Sequence, residues 1–248
     1  MAILNRRGQL GKILHKMHRI HDDIYTIQGL PIGRVYVIAG ADGLTLIDAS
    51  VEGAERAIER DLARAGYSLQ AIRRILITHA HPDHVGALAA LVRASGAQVY
   101  AHALEAPIIR GQQPVVYAAT YKETALTRRI SALIGIRGMP PSQVDREIAE
   151  GEVLPEVLPD LQVIAAPGHA RGQVVFYSPA RKLLFCGDAI ARFGRLSLPL
   201  AQFTPDMAEA KRSIKKLATL EIETLCFGHG VPMKRRTSER LRAFAATL

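Results

Sequence analysis

Cysteine is almost absent from this 248-residue chain: Cys186 and Cys226 are the only two. That count excludes a disulfide framework and points to a reducing compartment. Cys186 closes a predicted strand and is expected to be a buried strand residue rather than a reactive thiol. Long apolar runs are missing as well. No stretch of 18 or more apolar residues occurs, which excludes a membrane-spanning helix. The N-terminus lacks the uninterrupted apolar core and small-residue cleavage site of a secretory signal. A soluble cytoplasmic protein is therefore expected. Internal repeats and low-complexity segments are also lacking. What the chain does have is 48% hydrophobic content, enough to bury a core within one domain over residues 1–248.

Positive charge is in excess, but only at the ends. The formal net charge is +9. Arg6, Arg7, Lys12, Lys16 and Arg19 lie in residues 1–21 without an acid, and Lys234, Arg235, Arg236, Arg240 and Arg242 meet only Glu239 in residues 234–242. The ends account for the whole excess and the body is neutral. A nucleic-acid groove or an anionic membrane surface, the usual partners of such a charge, is thereby disfavoured. The ends read as solvated helical faces. Leu10, Ile13, Leu14 and Met17 recur at helical spacing, so residues 1–22 are expected to form a basic helical segment. It would dock on its own domain or on a partner subunit in a homodimer, with weak membrane contact the lesser outcome. His15, His18 and His21, three apart, are expected to decorate that helix.

The body alternates strands with helices. Residues 24–27, 35–38 and 44–47 read as strands, with a turn at 41–43 and Asp48 at the end of the third. Residues 51–65 read as a helix closed by Gly66, 75–77 as a short buried strand, 85–92 as a helix and 99–101 as a strand. Residues 104–150 are rich in Ala, Arg and Ile, are punctuated by Pro107, Pro114, Pro140 and Pro141, and show no clear strand. They are expected to be a helical insertion. Strands resume at 163–166, 174–177, 183–186 and 224–227, with helices at 205–220 and in the basic tail.

The chemistry is concentrated in Thr78-His79-Ala80-His81-Pro82-Asp83-His84, directly after an apolar strand. Strand-like spacing puts His79 and His81 on one side, while Asp83 and His84, past the Pro82 turn, point elsewhere. One loop can thus serve two metal ions. A lone histidine here would be an ordinary loop residue, and Asp83 alone would merely favour a helix N-terminus. Three histidines and an aspartate in six residues are metal-ligand chemistry. Three later strands end on the same residue types: His169 in a Pro-Gly-His turn, Asp188 in Gly-Asp-Ala and His229 in Gly-His-Gly. Glycine beside each allows tight turns and close backbone approach, and loops at strand ends are where open sheets place functional groups.

In order and approximate spacing, Asp48, His79-x-His81-x-Asp83-His84, His169, Asp188 and His229 resemble the five motifs of the metallo-β-lactamase-fold hydrolases, over roughly residues 24–231. The resemblance implies an α/β protein, an αββα sandwich of two mixed sheets flanked by helices, with a metal site at one edge. It implies His79, His81 and His169 around a first metal and Asp83, His84 and His229 around a second. Asp188 would bridge the two, and Asp48 would support the site from behind. Two divalent ions could share a hydroxide, polarise a carbonyl and stabilise the developing oxyanion. Asp83 would double as ligand and as orienter of the attacking hydroxide or the proton it releases. Zinc suits such donors, and iron or manganese also binds them.

Within that family the details separate the branches. A missing signal and the bridging Asp188 argue against secreted β-lactamases. Pro82 before the motif aspartate argues against nucleases. His81 in place of glutamate argues against flavin-linked diiron members. A glyoxalase II-like thioesterase usually carries a helical C-terminal domain beyond the last motif. Acyl-homoserine lactonases place a tyrosine shortly after the bridging aspartate, where this chain has Ala189, Ile190, Ala191, Arg192 and Phe193. The leading expectation is hydrolysis of a small-molecule carbonyl ester or lactone, with a thioesterase of glyoxalase II type next. Persulfide dioxygenases, which use one iron, would employ His79, His169 and Asp188. For substrate contact, Tyr117 and Tyr121, with Val116 and Ile134, offer an apolar wall from the insertion. Arg171 and Arg192 offer charge for an anionic group, and His102 could reach the site edge.

Overall fold

Strands that are apolar on both faces must be covered on both faces, and this chain has several. Tyr36 and Ile38 belong to one buried cluster while their neighbours Val37 and Ala39 belong to another. Val174 and Phe176 share the first of these clusters, and the intervening Val175 and Tyr177 face a third. Period-two alternation thus specifies three apolar layers and two sheets between them.

The structure is a computed structural model that describes residues 17–133, 136 and 138–248. The first sheet runs in sequence order through β1 (His18–His21), β2 (Ile24–Thr26), β3 (Tyr36–Ala39), β4 (Leu44–Ile47), β5 (Ile72–Leu76), β6 (Gln98–His102) and β7 (Arg146–Ile148). Its first four strands pair antiparallel and its last four parallel. The second sheet is built from β8 (Gln162–Ala165), β9 (Val174–Ser178) and β10 (Leu183–Phe185). After a hairpin of β11 (Ala191–Phe193) and β12 (Arg195–Ser197), it is completed by β13 (Thr224–Cys226) in the order β13-β10-β9-β8.

The helices are α1 (Glu55–Arg64), α2 (Pro82–Val85), α3 (Leu88–Ser95), α4 (Ala106–Ile109), α5 (Ala125–Leu133), α6 (Met207–Leu217) and α7 (Thr237–Ala245). Ile58 and Leu62 of α1 and Leu88 and Leu91 of α3 pack with Val37, Leu46, Ile75 and Val99 on the outer face of the first sheet. Ile214 and Leu217 of α6 and Leu241 of α7 pack with Leu184 and Leu225 on the outer face of the second. In α6 the buried positions 210, 213, 214 and 217 follow the helical period, and the Asp206 carboxylate caps its start by accepting from the Glu209 N–H at 2.8 Å. Between the sheets lie Ile38, Ile47, Leu76, Phe176 and Phe185, each such side chain contributing about 1.5–3 kcal/mol on burial. The order helix, sheet, sheet, helix is the expected αββα sandwich.

Three expectations need correction. Residues 18–21 are strand β1, paired with β2, rather than the end of a basic helix, so His18 and His21 decorate an edge strand. The backbone partners of β2 outweigh the three-residue histidine spacing. Leu10, Ile13, Leu14 and His15 lie outside the described residues, as does Ile134, whereas Met17 is buried. The segment 104–150 holds α4 and α5 but also contributes β7, which adds to the first sheet beside β6. Arg146 and Glu147 are charged and Ile148 alone is apolar, too short a pattern from which a strand could be read. The predicted helix at 85–92 is two helices, α2 and α3, separated at Gly86 and Ala87.

The two sheets are tied where the chemistry lies. The Tyr36 hydroxyl, fully buried on β3, donates to the carbonyl of Phe227, just past β13, at 2.6 Å. Val174 N–H donates to Thr78 O at 3.0 Å and Arg34 N–H to Gly228 O at 2.8 Å. Removing the first of these bonds with Tyr36→Phe orphans a buried carbonyl and is expected to cost about 1–3 kcal/mol, read from urea denaturation.

Candidate metal centre

All five motifs follow strand ends and meet at one edge of the sandwich. Asp48 follows β4, residues 78–84 follow β5, His169 follows β8, Asp188 follows β10 and His229 follows β13. The ring centroids of His79, His81 and His169 are 4.6–4.9 Å apart, and His84 lies 4.1 Å from His79 and 5.5 Å from His229. Three groups of side chains bring one donor atom each within 4.8 Å of the others: His79, His81 and His169; His79, His84 and Asp188; and Asp83, His84 and His229. Asp188 stands between them. Its Oδ2 is 3.6 Å from His169 Nε2 and 3.1 Å from His229 Nε2, and its Oδ1 is 3.4 Å from His84 Nε2. Asp83 Oδ2 lies 3.1 Å from His229 Nε2.

The imidazoles are presented as ligands. Thr78 Oγ1 donates to Asp48 Oδ2 at 2.8 Å and so is left to accept from His79 Nδ1 at 3.1 Å. Thr204 Oγ1 donates to Leu200 O at 2.8 Å and accepts from His169 Nδ1 at 3.1 Å. His84 Nδ1 donates to Asp48 Oδ2 at 2.8 Å. Each ring thereby commits its Nδ1 proton and turns its Nε2 toward the cluster as the atom a ligand would meet. The Nε2 atoms of His79, His81, His84 and His169 are buried and have no hydrogen-bond partner. Four such atoms at one place would be costly in an ordinary core, and the donor set fits a divalent metal.

Electrostatics divides the histidines. Burial and the neighbouring imidazoles hold His79 well below its ordinary pKa, push His81 down to about 3, and lower His169 despite the nearby Asp188. Burial would also lower His84 and His229. Asp48 and Asp188 reverse this and hold His84 well above its ordinary value, while Asp188 and Asp83 push His229 up to about 10. Burial opposes ionisation of Asp83 and Asp188, yet His229 and His84 hold both carboxyls below the usual range. At neutral pH the first three imidazoles are thus neutral, and a metal at His84 and His229 must displace protons. Metal uptake by the set containing those two is expected to strengthen as pH rises from about 6 to 8, with a shallower change at His79, His81 and His169. Competition titrations with a chelator at each pH, with proton release followed by calorimetry, check this.

Close backbone approach also shapes the centre. A Cβ at Gly228 would fall 2.0 Å from Asp188 Oδ1 and 2.7 Å from His84 Cε1. Gly228→Ala is therefore expected to displace the Asp188 carboxylate and lower turnover about a hundredfold with circular dichroism unchanged, checked by kcat/KM. Asp48, at φ +62°, is held in the left-handed region, sparsely used by residues other than glycine.

The weaker sequence candidates separate. Tyr117 reaches the cluster, its ring 5.3 Å from that of His81, and packs with Tyr121 and Phe203 at 5.1–5.7 Å. Burial, reinforced by Asp83, pushes its phenol up to about 12. Arg192 is engaged elsewhere: its guanidinium donates to Val231 O at 2.7 Å. Arg171 is exposed. The His102 ring accepts from the Leu104 N–H at 3.2 Å. Cys186 is fully buried. A cleft of about 240 Å³ opens beside His229, lined by residues 27–34 and Gly230. A larger hollow of about 390 Å³ around Glu52, Arg56 and Arg93 contains none of the seven clustered residues, so size does not locate the chemistry.

Four supporting residues escape sequence reasoning. Besides Thr204 and Phe203, they are Gln173, whose amide carbonyl accepts from the N–H groups of Asp188 at 3.1 Å and Ala189 at 2.7 Å, and Glu105. None lies in a motif. A faint signal was available only for Gln173, four residues after His169.

A buried histidine and carboxylate cluster at the edge of an αββα sandwich defines a class, proteins built around a metal centre. Residues 29–229 match the metallo-beta-lactamase superfamily. The chain is 30% identical over 218 residues to the probable metallo-hydrolase YflN of Bacillus subtilis, covering 82% of each protein. It is 31% identical over 159 residues to a hydroxyacylglutathione hydrolase of Rhodobacter capsulatus, covering 64% of this chain and 48%, about half, of that relative. Among solved structures, TTHA1623 in a di-iron-bound form superposes with a TM-score of 0.65 at 30% identity, over 88% of this chain and 98% of that one. This chain belongs to the metallo-β-lactamase superfamily and is a metal-dependent hydrolase.

Proposed function

We propose that the centre takes two divalent ions, zinc by the character of its donors, and cleaves the carbonyl ester or lactone of a small molecule. The carrying observation is the placement of Asp188, whose carboxylate reaches His169 on one side and His84 and His229 on the other. In this reading His79, His81 and His169 hold the first ion and Asp83, His84 and His229 the second, with Asp188 shared. When bound, such ions polarise the scissile carbonyl and supply a water acidic enough to attack at neutral pH. Asp83, whose Oδ2 lies 3.1 Å from His229 Nε2, would serve both as a ligand and as orienter of that water or the proton it releases. Asp48 fixes the His84 ring and, through Thr78, the His79 ring. Tyr117, with Tyr121 and Phe203 behind it, gives the substrate an apolar flank beside His81.

A thioester is the second reading, favoured by the likeness to hydroxyacylglutathione hydrolase. A panel of lactones, esters, thioesters, phosphodiesters and β-lactams, assayed on protein of measured metal content, separates the readings. Lactone or ester turnover with about two ions per chain is the expected result. Turnover led by thioesters selects the second reading. One iron per chain with oxygen consumption on a persulfide overturns both.

A further inference from the structure

Glu105 is a buried carboxylate, 2% exposed, in no recognised motif. It immediately precedes α4, yet its side chain makes no capping bond to that helix. Its two oxygens go instead to two different loops. Oε2 accepts from the Ala80 N–H at 2.7 Å, and Oε1 accepts from the Gly172 N–H at 2.7 Å. Ala80 lies between His79 and His81, and Gly172 lies three residues beyond His169. Both loops therefore bear the histidines of the first proposed set.

A second observation is independent of these bonds. A Cβ at Gly172 would fall 2.7 Å from His102 Nδ1, 2.9 Å from Leu104 Cβ and 3.0 Å from Glu105 Cγ. The His169 loop thus lies flat against residues 102–105, and only a residue without a side chain permits it. The Glu105 backbone is itself fixed, since its N–H donates to His102 O at 2.9 Å at the end of β6. Each oxygen of the carboxyl group accepts one backbone N–H, so the group is a strut between a loop of the first sheet and a loop of the second.

We propose that Glu105 is a positioning residue for the metal centre, fixing the separation of His79 and His81 from His169 by clamping the Ala80 and Gly172 N–H groups together. It touches neither substrate nor metal and acts through the two loops. This rests on the reading that those three histidines hold one ion.

The test is a cobalt(II) titration of the metal-free full-length protein, following visible absorption and chelator competition. Glu105→Gln keeps the shape but offers one acceptor oxygen, and turns an amide donor toward the other N–H. It is expected to weaken first-equivalent binding about tenfold and to alter the cobalt spectrum, with Glu105→Ala nearer a hundredfold. Gly172→Ala, which leaves the carboxylate in place but lifts the loop from it, is expected to give the same spectral change. Asp160 is the control, because its carboxylate accepts from Ser178 Oγ and Ala180 N–H, both at 2.7 Å, away from the motif loops. Asp160→Asn should lower thermal stability with the cobalt affinity and spectrum of the wild type. Wild-type affinity and spectrum in folded Glu105→Gln would overturn the proposal, as would an equal loss in Asp160→Asn. His169→Ala in the same titration keeps the underlying reading separate: undiminished first-equivalent affinity there would overturn the ligand assignment itself.

Discussion

Replacing Asp188 with alanine is expected to remove most of the bound metal and to lower kcat/KM at least a thousandfold. That carboxylate lies within 3.1–3.6 Å of three imidazoles from three separate loops, so no neighbour can take its place. Its removal also takes from His84 and His229 one of the carboxylates that offset their burial, leaving Asp48 beside the first and Asp83 beside the second. Metal ions contribute several kcal/mol of transition-state stabilisation, and about 4 kcal/mol corresponds to a thousandfold in rate. His81→Ala, which strips a buried imidazole from the first set, should behave similarly. Metal content by mass spectrometry alongside kinetics checks both, and full metal content with full turnover in either variant would sink the assignment.

Asp48 carries the second large effect, through stability as well as activity. Its carboxylate accepts from Thr78 N–H at 2.8 Å, Thr78 Oγ1 at 2.8 Å and His84 Nδ1 at 2.8 Å, all buried. Asp48→Ala orphans these donors at once and retains the left-handed backbone, which alanine accepts poorly. Removing one partner from such a buried charged network costs about 3–5 kcal/mol. Asp48→Asn, which keeps an acceptor and tolerates that backbone, should cost less. Both variants are expected to weaken metal binding about tenfold to a hundredfold. Urea denaturation of the metal-free proteins separates the folding loss from the metal loss, and an Asp48→Ala variant as stable as the wild type would contradict this wiring.

Much of this architecture is legible in the sequence because its physical causes are local. The central strands announce themselves by continuous apolar runs, since each is covered on both faces, and α6 by a capping aspartate and a helical stripe. The ligand candidates are legible because four loops repeat one chemical pattern at strand ends. β7 and the β11–β12 hairpin are not legible: Arg146, Glu147, Arg192 and Arg195 interrupt the apolar run that marks the equally short β2, β10 and β13, so only their partners in the fold define them. Glu105, Thr204 and Gln173 escape for the same reason. Glu105 braces residues 25 and 67 positions away, and Thr204 meets His169 across 35. No spacing rule connects such positions until the fold has brought them together. Within the insertion, helices form at Ala106–Ile109 and Ala125–Leu133, Tyr117 lies beside His81, and Arg146–Ile148 pairs as a strand that no local pattern announces.

The most direct measurement of the central claim is stepwise reconstitution of the metal-free protein with zinc, with turnover of the best ester, lactone or thioester followed against equivalents added. The account predicts saturation near two ions per chain, with activity tracking the second equivalent and most of the metal lost in Asp188→Ala. Full activity at one equivalent, or undiminished activity without metal, would contradict it.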